Sequence, residues 1–211
     1  GTASGITSTV KEVLTLTPEA ADTLVFSPVA QSVASDACSG AITVTRRDAF
    51  GNPVTTGALA VTLTHTATGG TFGFHALANC SDVASPNVSI AASASTAPFY
   101  AKGTKAEAVD VDGTATGITA TVKEVLTIDP GAAFQLVFTT LARSITSGGC
   151  SAVLTAQRQD ANGNPVTSEG LITVAIGDTG TSDLTFSTNS NCIAGTVTQV
   201  DILAGASSAD F

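Results

Sequence analysis

The 211-residue chain contains no tryptophan, no methionine and one tyrosine, and only 12% of its residues are charged. Disordered segments are rich in charge and poor in β-branched residues, so this composition argues against disorder. The scarcity of Leu, Glu, Lys and Arg disfavours coiled coils and helical bundles. Basic side chains number 8 against 17 acidic ones, and the net charge of −9 disfavours a nucleic-acid partner.

The chain is instead rich in residues with hydroxyl groups and in apolar residues. There are 34 Thr and 20 Ser, about a quarter of the chain, and 43% of the residues are hydrophobic. Threonine and valine favour strands. No run of about 20 predominantly apolar residues is present, so we expect no membrane span. The composition predicts a β-rich, acidic protein of one or two domains.

An internal repeat is the strongest signal in the sequence. Residues 113–211 align on residues 1–99 with an offset of 112, and 44 of the 99 pairs are identical. The segment Thr-Val-Lys-Glu-Val-Leu-Thr stands at 9–15 and again at 121–127. We infer one unit of about 110 residues, the size of a β-sandwich domain, written twice.

The alignment slips once. At an offset of 112, Val61 and Leu63 fall on Thr173 and Ala175, which would reverse the faces of the strand. An offset of 113 restores the alternation of apolar and polar residues. We therefore expect one copy to carry an extra residue in the turn near Gly57, compensated in a later loop.

Alternating patterns between turn residues predict short strands throughout the chain. They are predicted at 24–26, 41–47, 59–64, 87–91, 98–102, 106–111, 118–128, 136–138, 152–159, 171–176 and 197–203. The Gly-Asn-Pro sequences at 51–53 and 163–165 predict turns, since Asn-Gly accepts positive φ and Pro ends strand pairing. No segment has a sustained helical period.

The sequence Asp-Ala-x-Gly-Asn-Pro-Val-Thr at 48–55 and 160–167, after a strand rich in Val and Thr, resembles the bacterial immunoglobulin-like repeats of invasin- and intimin-type surface proteins. The resemblance covers essentially the whole chain, twice. It implies an all-β fold of two tandem immunoglobulin-like β-sandwiches, end to end, in rod-like arrays that hold something away from the cell surface. The cysteines depart from that group, which does not generally carry them.

Each copy contains two cysteines with the same spacing, Cys38 with Cys80 and Cys150 with Cys192. Disulfides, zinc ligands and free thiols are the alternatives. Zinc sites usually use closely spaced ligand pairs, and each cysteine here is solitary. We expect the disulfides Cys38–Cys80 and Cys150–Cys192, which favour a location outside the reducing cytosol, extracellular or on the cell surface.

Candidate catalytic and metal-binding residues are few. His65 and His75 are the only histidines, and we interpret them as exposed strand or loop residues rather than catalytic bases. Asp160 opens a loop that superficially matches a calcium site, and Asp110 and Asp112 add two carboxylates between the copies. The twelve-position calcium loop requires a final Glu that is absent. We expect no enzyme activity, no cofactor and no bound metal, with these three carboxylates as weak candidates.

Two covalent modifications remain open. Asn79 and Asn87 begin glycosylation sequons. Lys11 and Lys123 each stand beside a glutamate, and an intramolecular isopeptide bond would require a lysine buried with an Asn or Asp and a catalytic acid.

The ends of the chain are out of phase with the repeat. Residues 1–16 match the closing strand at 113–128, and residues 129–211 match a unit without its last strands. We therefore expect an N-terminal strand (1–16) that completes a preceding domain or neighbouring subunit, a first domain (17–128) and a second domain (129–211) that lacks its final strands. The predicted assembly strand comprises Thr9, Val10, Lys11, Glu12, Val13 and Leu14.

Two explanations fit this phase. The chain is a slice of a longer tandem array, or subunits polymerise head to tail by strand complementation. Donating only residues 1–16 would leave the equivalent of strand 98–102 unfinished, which favours the slice. Both explanations predict a structural unit of an extracellular bacterial fibre, filament or adhesin stalk whose partner is itself. The alternative is a glycan- or receptor-binding adhesion module, which the absence of tryptophan disfavours.

Overall fold

The computed structural model describes residues 4–5, 12–180, 183–193 and 195–211, and these residues form strands and loops. They contain no helix long and apolar enough to cross a membrane. Most predicted strands are confirmed. The short strands at 30–34, 72–75, 186–187 and 208–210 were missed, since none has a long alternating pattern.

The first unit is a sandwich of two five-stranded sheets. One sheet has the order β5-β7-β3-β1-β9 and the other β2-β10-β8-β4-β6. Their bounds are β1 Thr23–Ser27, β2 Ala30–Ala34, β3 Ile42–Arg47, β4 Leu59–His65, β5 Phe72–His75, β6 Asn87–Ile90, β7 Thr96–Gly103, β8 Ala108–Thr114, β9 Ala120–Val122 and β10 Glu124–Asp129.

The core of the first unit lies between these sheets, because alternate residues of each strand point inward. In β3, Ile42 and Val44 are fully buried while their neighbours are partly exposed. Phe99 from β7 packs edge-on against Phe26 and Phe74, with ring centroids 6.0 and 5.7 Å apart. The fifteen buried residues of this core come from both sheets.

One prediction was wrong in detail. The segment 118–128 is two strands rather than one, because the chain crosses from one sheet to the other at Lys123. Strand β9 pairs in parallel with β1, and β10 then pairs in parallel with β2 and antiparallel with β8. Because of this crossing, a single segment contributes one strand to each sheet of the first unit.

The second unit repeats the fold less completely. Its described strands form sheets of three (β11-β12-β17), two (β13-β16) and two (β14-β15) strands. Their bounds are β11 Gln135–Phe138, β12 Thr155–Gln159, β13 Ile172–Ala175, β14 Phe186–Ser187, β15 Thr196–Val197, β16 Gln199–Ile202 and β17 Ser208–Asp210. Only Val174, Val200 and Ile202 form its cluster of buried residues among those described.

The slip in the repeat is confirmed by strand β13. Val174 is buried, whereas Thr173 and Ala175 on either side are exposed. Val174 therefore matches the buried Val61 at an offset of 113, as the alternation of faces predicts.

Candidate functional site

The repeated Asp-Ala-x-Gly-Asn-Pro turn is organised by its first residue. In the first unit the buried Asp48 carboxylate accepts hydrogen bonds from the backbone of Phe50 (3.0 Å), Asn52 (2.8 Å) and Glu19 (3.1 Å), and from the Asn52 side chain (3.0 Å). The Asn52 side chain, with these backbone groups, holds the pKa of Asp48 below its usual range. The turn thereby fastens the segment that enters the unit.

The second unit uses the same turn and extends it. The buried Asp160 carboxylate accepts hydrogen bonds from the backbone of Gly131, Asn162 and Asn164 and from the Asn164 side chain, at 2.8–2.9 Å. Burial alone would raise the pKa of Asp160, but these donors outweigh it and keep the pKa below the usual range. The Asp160 carboxylate, which was the candidate calcium ligand, therefore already accepts hydrogen bonds from four N–H donors.

Asn164 also joins the two units. Its side-chain amide donates to the Thr104 carbonyl (2.8 Å) and the Ser35 hydroxyl (3.1 Å), and its oxygen accepts from the backbone N–H of Ala106 (2.8 Å). Asn162 adds a second bond to the Ser35 hydroxyl (2.8 Å). The turn of the second unit is thus docked on the end of the first. The repeated Asn-Pro spacing located this turn, but no pattern in the sequence indicated the docking.

Two buried arginines, which the sequence patterns did not predict, hold the loops of each unit. The Arg46 guanidinium donates to the carbonyls of Thr56, Gly57, Ala91 and Ala94, at 2.7–3.4 Å. These carbonyls accept from Nη1 and Nη2 in place of a carboxylate partner, while the Nε of Arg46 is buried without a hydrogen-bond partner.

Its counterpart Arg158 donates to the carbonyls of Val166, Gly170, Glu169 and Ala206, at 2.6–3.0 Å. The two arginines are 2% and 1% exposed, and their identity at an offset of 112 was the available signal.

A disulfide stands in each unit. Cys38 is bonded to Cys80 and Cys150 to Cys192, with Cα–Cα distances of 5.6 and 5.7 Å and a sequence separation of 42 in both cases. Each bond joins two loops of its own unit, so it crosslinks that unit alone.

The metal candidates Asp110 and Asp112 lie on β8. Asp112 accepts from the backbone of Gly113 (2.7 Å) and lies 3.5 Å from the Lys123 ammonium. In the described part of the chain, no three His, Cys, Asp or Glu side chains are grouped to hold a metal ion.

The histidines do not share one environment. The interpretation of His75 as an exposed residue was wrong, because its side chain is 11% exposed and lies 3.3 Å from the Asp82 carboxylate. His65 is exposed, and its ring stacks at a tilt on Phe72 with centroids 4.6 Å apart. Neither histidine contacts a serine or cysteine nucleophile in the contacts described.

Strand β10 carries a buried carboxylate. Glu124 is fully buried and accepts a hydrogen bond from the Gln31 side chain of β2 (2.6 Å), while its second oxygen, Oε2, has no partner. Burial raises the pKa of Glu124, and the bond from Gln31 opposes this only in part. Leu126 and Ile128, further along β10, cover the core of the first unit.

The corresponding position in the second unit is open. Residues 142–146, the docking strip, match β2 at an offset of 112, but they are exposed and no described strand pairs with them. Phe138 is 63% exposed, although its counterpart Phe26 is fully buried. The second unit therefore has an apolar face where β10 lies in the first.

The described part of the predicted assembly strand is exposed. Thr9, Val10 and Lys11 fall outside the described residues, and Glu12, Val13 and Leu14 belong to no strand. We name residues 12–17 the lead segment. Within it Val13, Leu14 and Leu16 are 86%, 82% and 90% exposed.

The sheets, their order and the paired loops define an all-β protein of two tandem immunoglobulin-like sandwiches. No protein-family model matches the sequence, and no curated protein matches it. Similar solved structures include Yersinia pseudotuberculosis InvD (16% identity, TM-score 0.45), the Escherichia coli adhesin FdeC (17%, 0.40) and the S-layer protein SbsC (16%, 0.37). The similar regions cover 92%, 87% and 94% of this chain, but only 55%, 55% and 23% of those chains.

Proposed function

We propose that this chain is a structural repeat unit of an extracellular bacterial fibre or adhesin stalk, in which the lead segment of one copy pairs as a strand with the docking strip of the copy before it. The main observation in support of this proposal is the position of β10. This strand completes a sheet of the first unit, and the chain then passes through Pro130 to Gly131, which the Asp160 turn of the second unit holds. One segment thus closes one sandwich and introduces the next.

The lead segment has the sequence to do the same. Residues 12–15 are identical to residues 124–127, and Leu16 replaces Ile128. In the β10 pattern Leu14 and Leu16 would point inward, and both are exposed in the isolated chain. Burying a leucine side chain contributes about 1.5–3 kcal/mol, so pairing of the lead segment with an open unit is favourable.

The acceptor is the docking strip of a second copy. Its sequence Ala-Arg-Ser-Ile-Thr is similar to the sequence Ala-Gln-Ser-Val-Ala of β2, with Ile145 in the place of Val33. Ile145 is 46% exposed, whereas Val33 packs on the core of the first unit. A strand laid along residues 142–146 would also shield the exposed ring of Phe138, as the sheet of β10 shields Phe26.

An extracellular location agrees with the chemistry of the chain. Disulfides persist in oxidising compartments and are rare in the cytosol. Each unit has one disulfide, and the described cysteines include no free thiol.

Electron microscopy and sedimentation of the purified chain test the proposal. We expect concentration-dependent linear assemblies with an axial repeat of two sandwiches, and a Leu14→Asp variant that remains a monomer. Val13→Asp is the matched control, since its counterpart Val125 faces outward in β10 and a charge there should leave assembly intact. Wild-type monomers at all concentrations would contradict the proposal, and their binding to an immobilised glycan would favour the adhesion module instead.

A further inference from the structure

The buried Glu124 shows what a closing strand requires at this position. Its carboxylate has one partner, the Gln31 amide, and its Oε2 is buried without any. The strand register places Leu126 of β10 directly opposite Gln31 of β2, so the Gln31 side chain reaches Glu124 from the neighbouring position. A buried carboxylate with one neutral donor is poorly compensated.

The equivalent pair in an assembly differs by one residue. The lead segment keeps the glutamate, as Glu12, but Arg143 stands in the docking strip where β2 has Gln31. The other differences in the strip, Val to Ile and Ala to Thr, conserve size or exposure. Arg143 is exposed and takes part in none of the ion pairs among the described residues.

We propose that Arg143 is the residue that selects the lead segment, by pairing with Glu12 of a second copy of this chain. The inference rests on the proposed function, because it assumes that the lead segment occupies the docking strip. A guanidinium can donate to both carboxylate oxygens, so Arg143 would give Oε2 of Glu12 the kind of partner that Oε2 of Glu124 lacks. The junction between copies therefore uses a charge pair where the interior of one copy uses a neutral hydrogen bond.

This pair also sets the register of the junction. Transferred from β10 and β2, the register places Leu14 opposite Arg143 and Leu16 opposite Ile145. A slip by one residue would turn Leu14 and Leu16 outward, and a slip by two would separate Glu12 from Arg143. Only one register satisfies both the apolar and the charged positions. The chain has 8 Lys and Arg residues in total, so few wrong partners exist for Glu12.

Two charge reversals test the inference. Glu12→Arg places two positive charges at the junction, and Arg143→Glu places two negative charges there, so each variant alone should raise the concentration needed for assembly about tenfold or more. When the two variants are mixed, the lead segment of each meets a docking strip of opposite charge on the other. Equimolar mixing should therefore restore assembly, with the two variants alternating along the fibre.

The readouts separate this inference from the proposed function. Both substitutions lie at exposed positions, so circular dichroism should show the wild-type fold. Glu19→Arg is the matched control, since it makes the same charge change in the same exposed region but beyond the lead segment, and it should assemble like the wild type. If both reversed variants assemble as readily as the wild type, the pair is refuted while the fibre stands. If the wild type itself does not assemble, the proposed function fails and the pair with it.

Discussion

The two units bury the same residues to very different extents. Leu24 and Phe26 of β1 are fully buried, whereas their counterparts Leu136 and Phe138 of β11 are 46% and 63% exposed. The sequences at these positions are identical, and β1 pairs antiparallel with β3 in the same register as β11 pairs with β12. Burial in this fold therefore depends on the covering sheet and not on the residue itself.

Strand β8 and strand β10 provide that cover in the first unit. Gly113 of β8 approaches the Phe26 ring so closely that a Cβ at this glycine would lie 2.9 Å from the ring tip. Leu126 of β10 is fully buried in the same core. No described strand takes these places in the second unit, and its edge-on aromatic pairs, Phe138 and Phe186 with Phe211, lie in a face that is partly open.

The loops, in contrast, are held alike in both units. Each has a turn closed by a buried aspartate, a buried arginine donating to loop carbonyls, and a disulfide with the same spacing. Because fewer apolar side chains are buried among its described residues, we expect the second unit to owe a larger share of its stability to these crosslinks. Removing these crosslinks one at a time in each unit separates their contribution to stability from that of the apolar core.

The disulfides should give the largest effect. Closing a loop of this length contributes about 4 kcal/mol in the chain-entropy model. We expect Cys150→Ala with Cys192→Ala to unfold the second unit, because its described buried cluster is small. The same change at Cys38 and Cys80 should only lower the melting temperature of the first unit. Calorimetry, in which we expect one transition for each unit, measures both.

The two double variants serve as controls for each other. Equal losses of melting temperature in the two units would contradict the view that the second unit depends more on its disulfide. An unchanged transition of the second unit would show that its disulfide adds little to its stability.

The buried arginines should give the next largest effect. Arg158→Met removes four hydrogen bonds and leaves buried carbonyls unpaired, at a cost of about 3 kcal/mol. Arg46→Met should cost the first unit a similar amount without unfolding it. Urea denaturation followed by fluorescence of an attached dye would give both values. Arg47→Met, which removes a single bond to the Gly51 carbonyl, is the control. A loss as large as that of Arg46→Met would contradict the view that the buried arginines hold the loops.

The docking of the units on each other should contribute less. Asn164→Ala removes the bonds to Thr104, Ala106 and Ser35, and we expect it to lower the free energy of unfolding of the second unit by about 2 kcal/mol. Its counterpart Asn52 bonds only to Asp48 within its own unit, so Asn52→Ala should cost less. Small-angle scattering should show a wider range of interunit angles for Asn164→Ala alone. Equal scattering from both variants would contradict a fixed junction.

The fold was largely predictable from the sequence, and the contacts that matter most were not. Alternation located the strand at 41–47, which the structure has as β3, and the repeat located both cysteine pairs. The buried Arg46 and Arg158 were missed, because a basic residue beside a turn is expected to be exposed until the carbonyls around it are placed in space. The crossing at Lys123 was missed because both halves of the segment alternate alike, and only the choice of parallel partners separates them.

The smallest effect concerns the charge on β10. Burial raises the pKa of Glu124, so this group contributes stability below its usual value of 4.5, and that contribution is lost as the pH rises through the folded-state pKa. Glu124→Gln should therefore stabilise the first unit at pH 7 by about 1 kcal/mol, since a neutral amide is less costly to bury than a carboxylate. The advantage should shrink as the pH falls towards 4.5, measured as the difference in urea midpoint between variant and wild type.

Glu107 provides a control of opposite sign in the same unit. The Thr68 hydroxyl and backbone, with Lys105, lower the pKa of Glu107 to about 2. Its stabilising contribution is therefore present above 4.5 and is lost as the pH falls from 4.5 towards 2. Glu107→Gln should destabilise the unit at pH 7, with a difference that disappears on acidification. If both variants shift the stability in the same direction at pH 7, the opposite pKa shifts of these two glutamates are refuted.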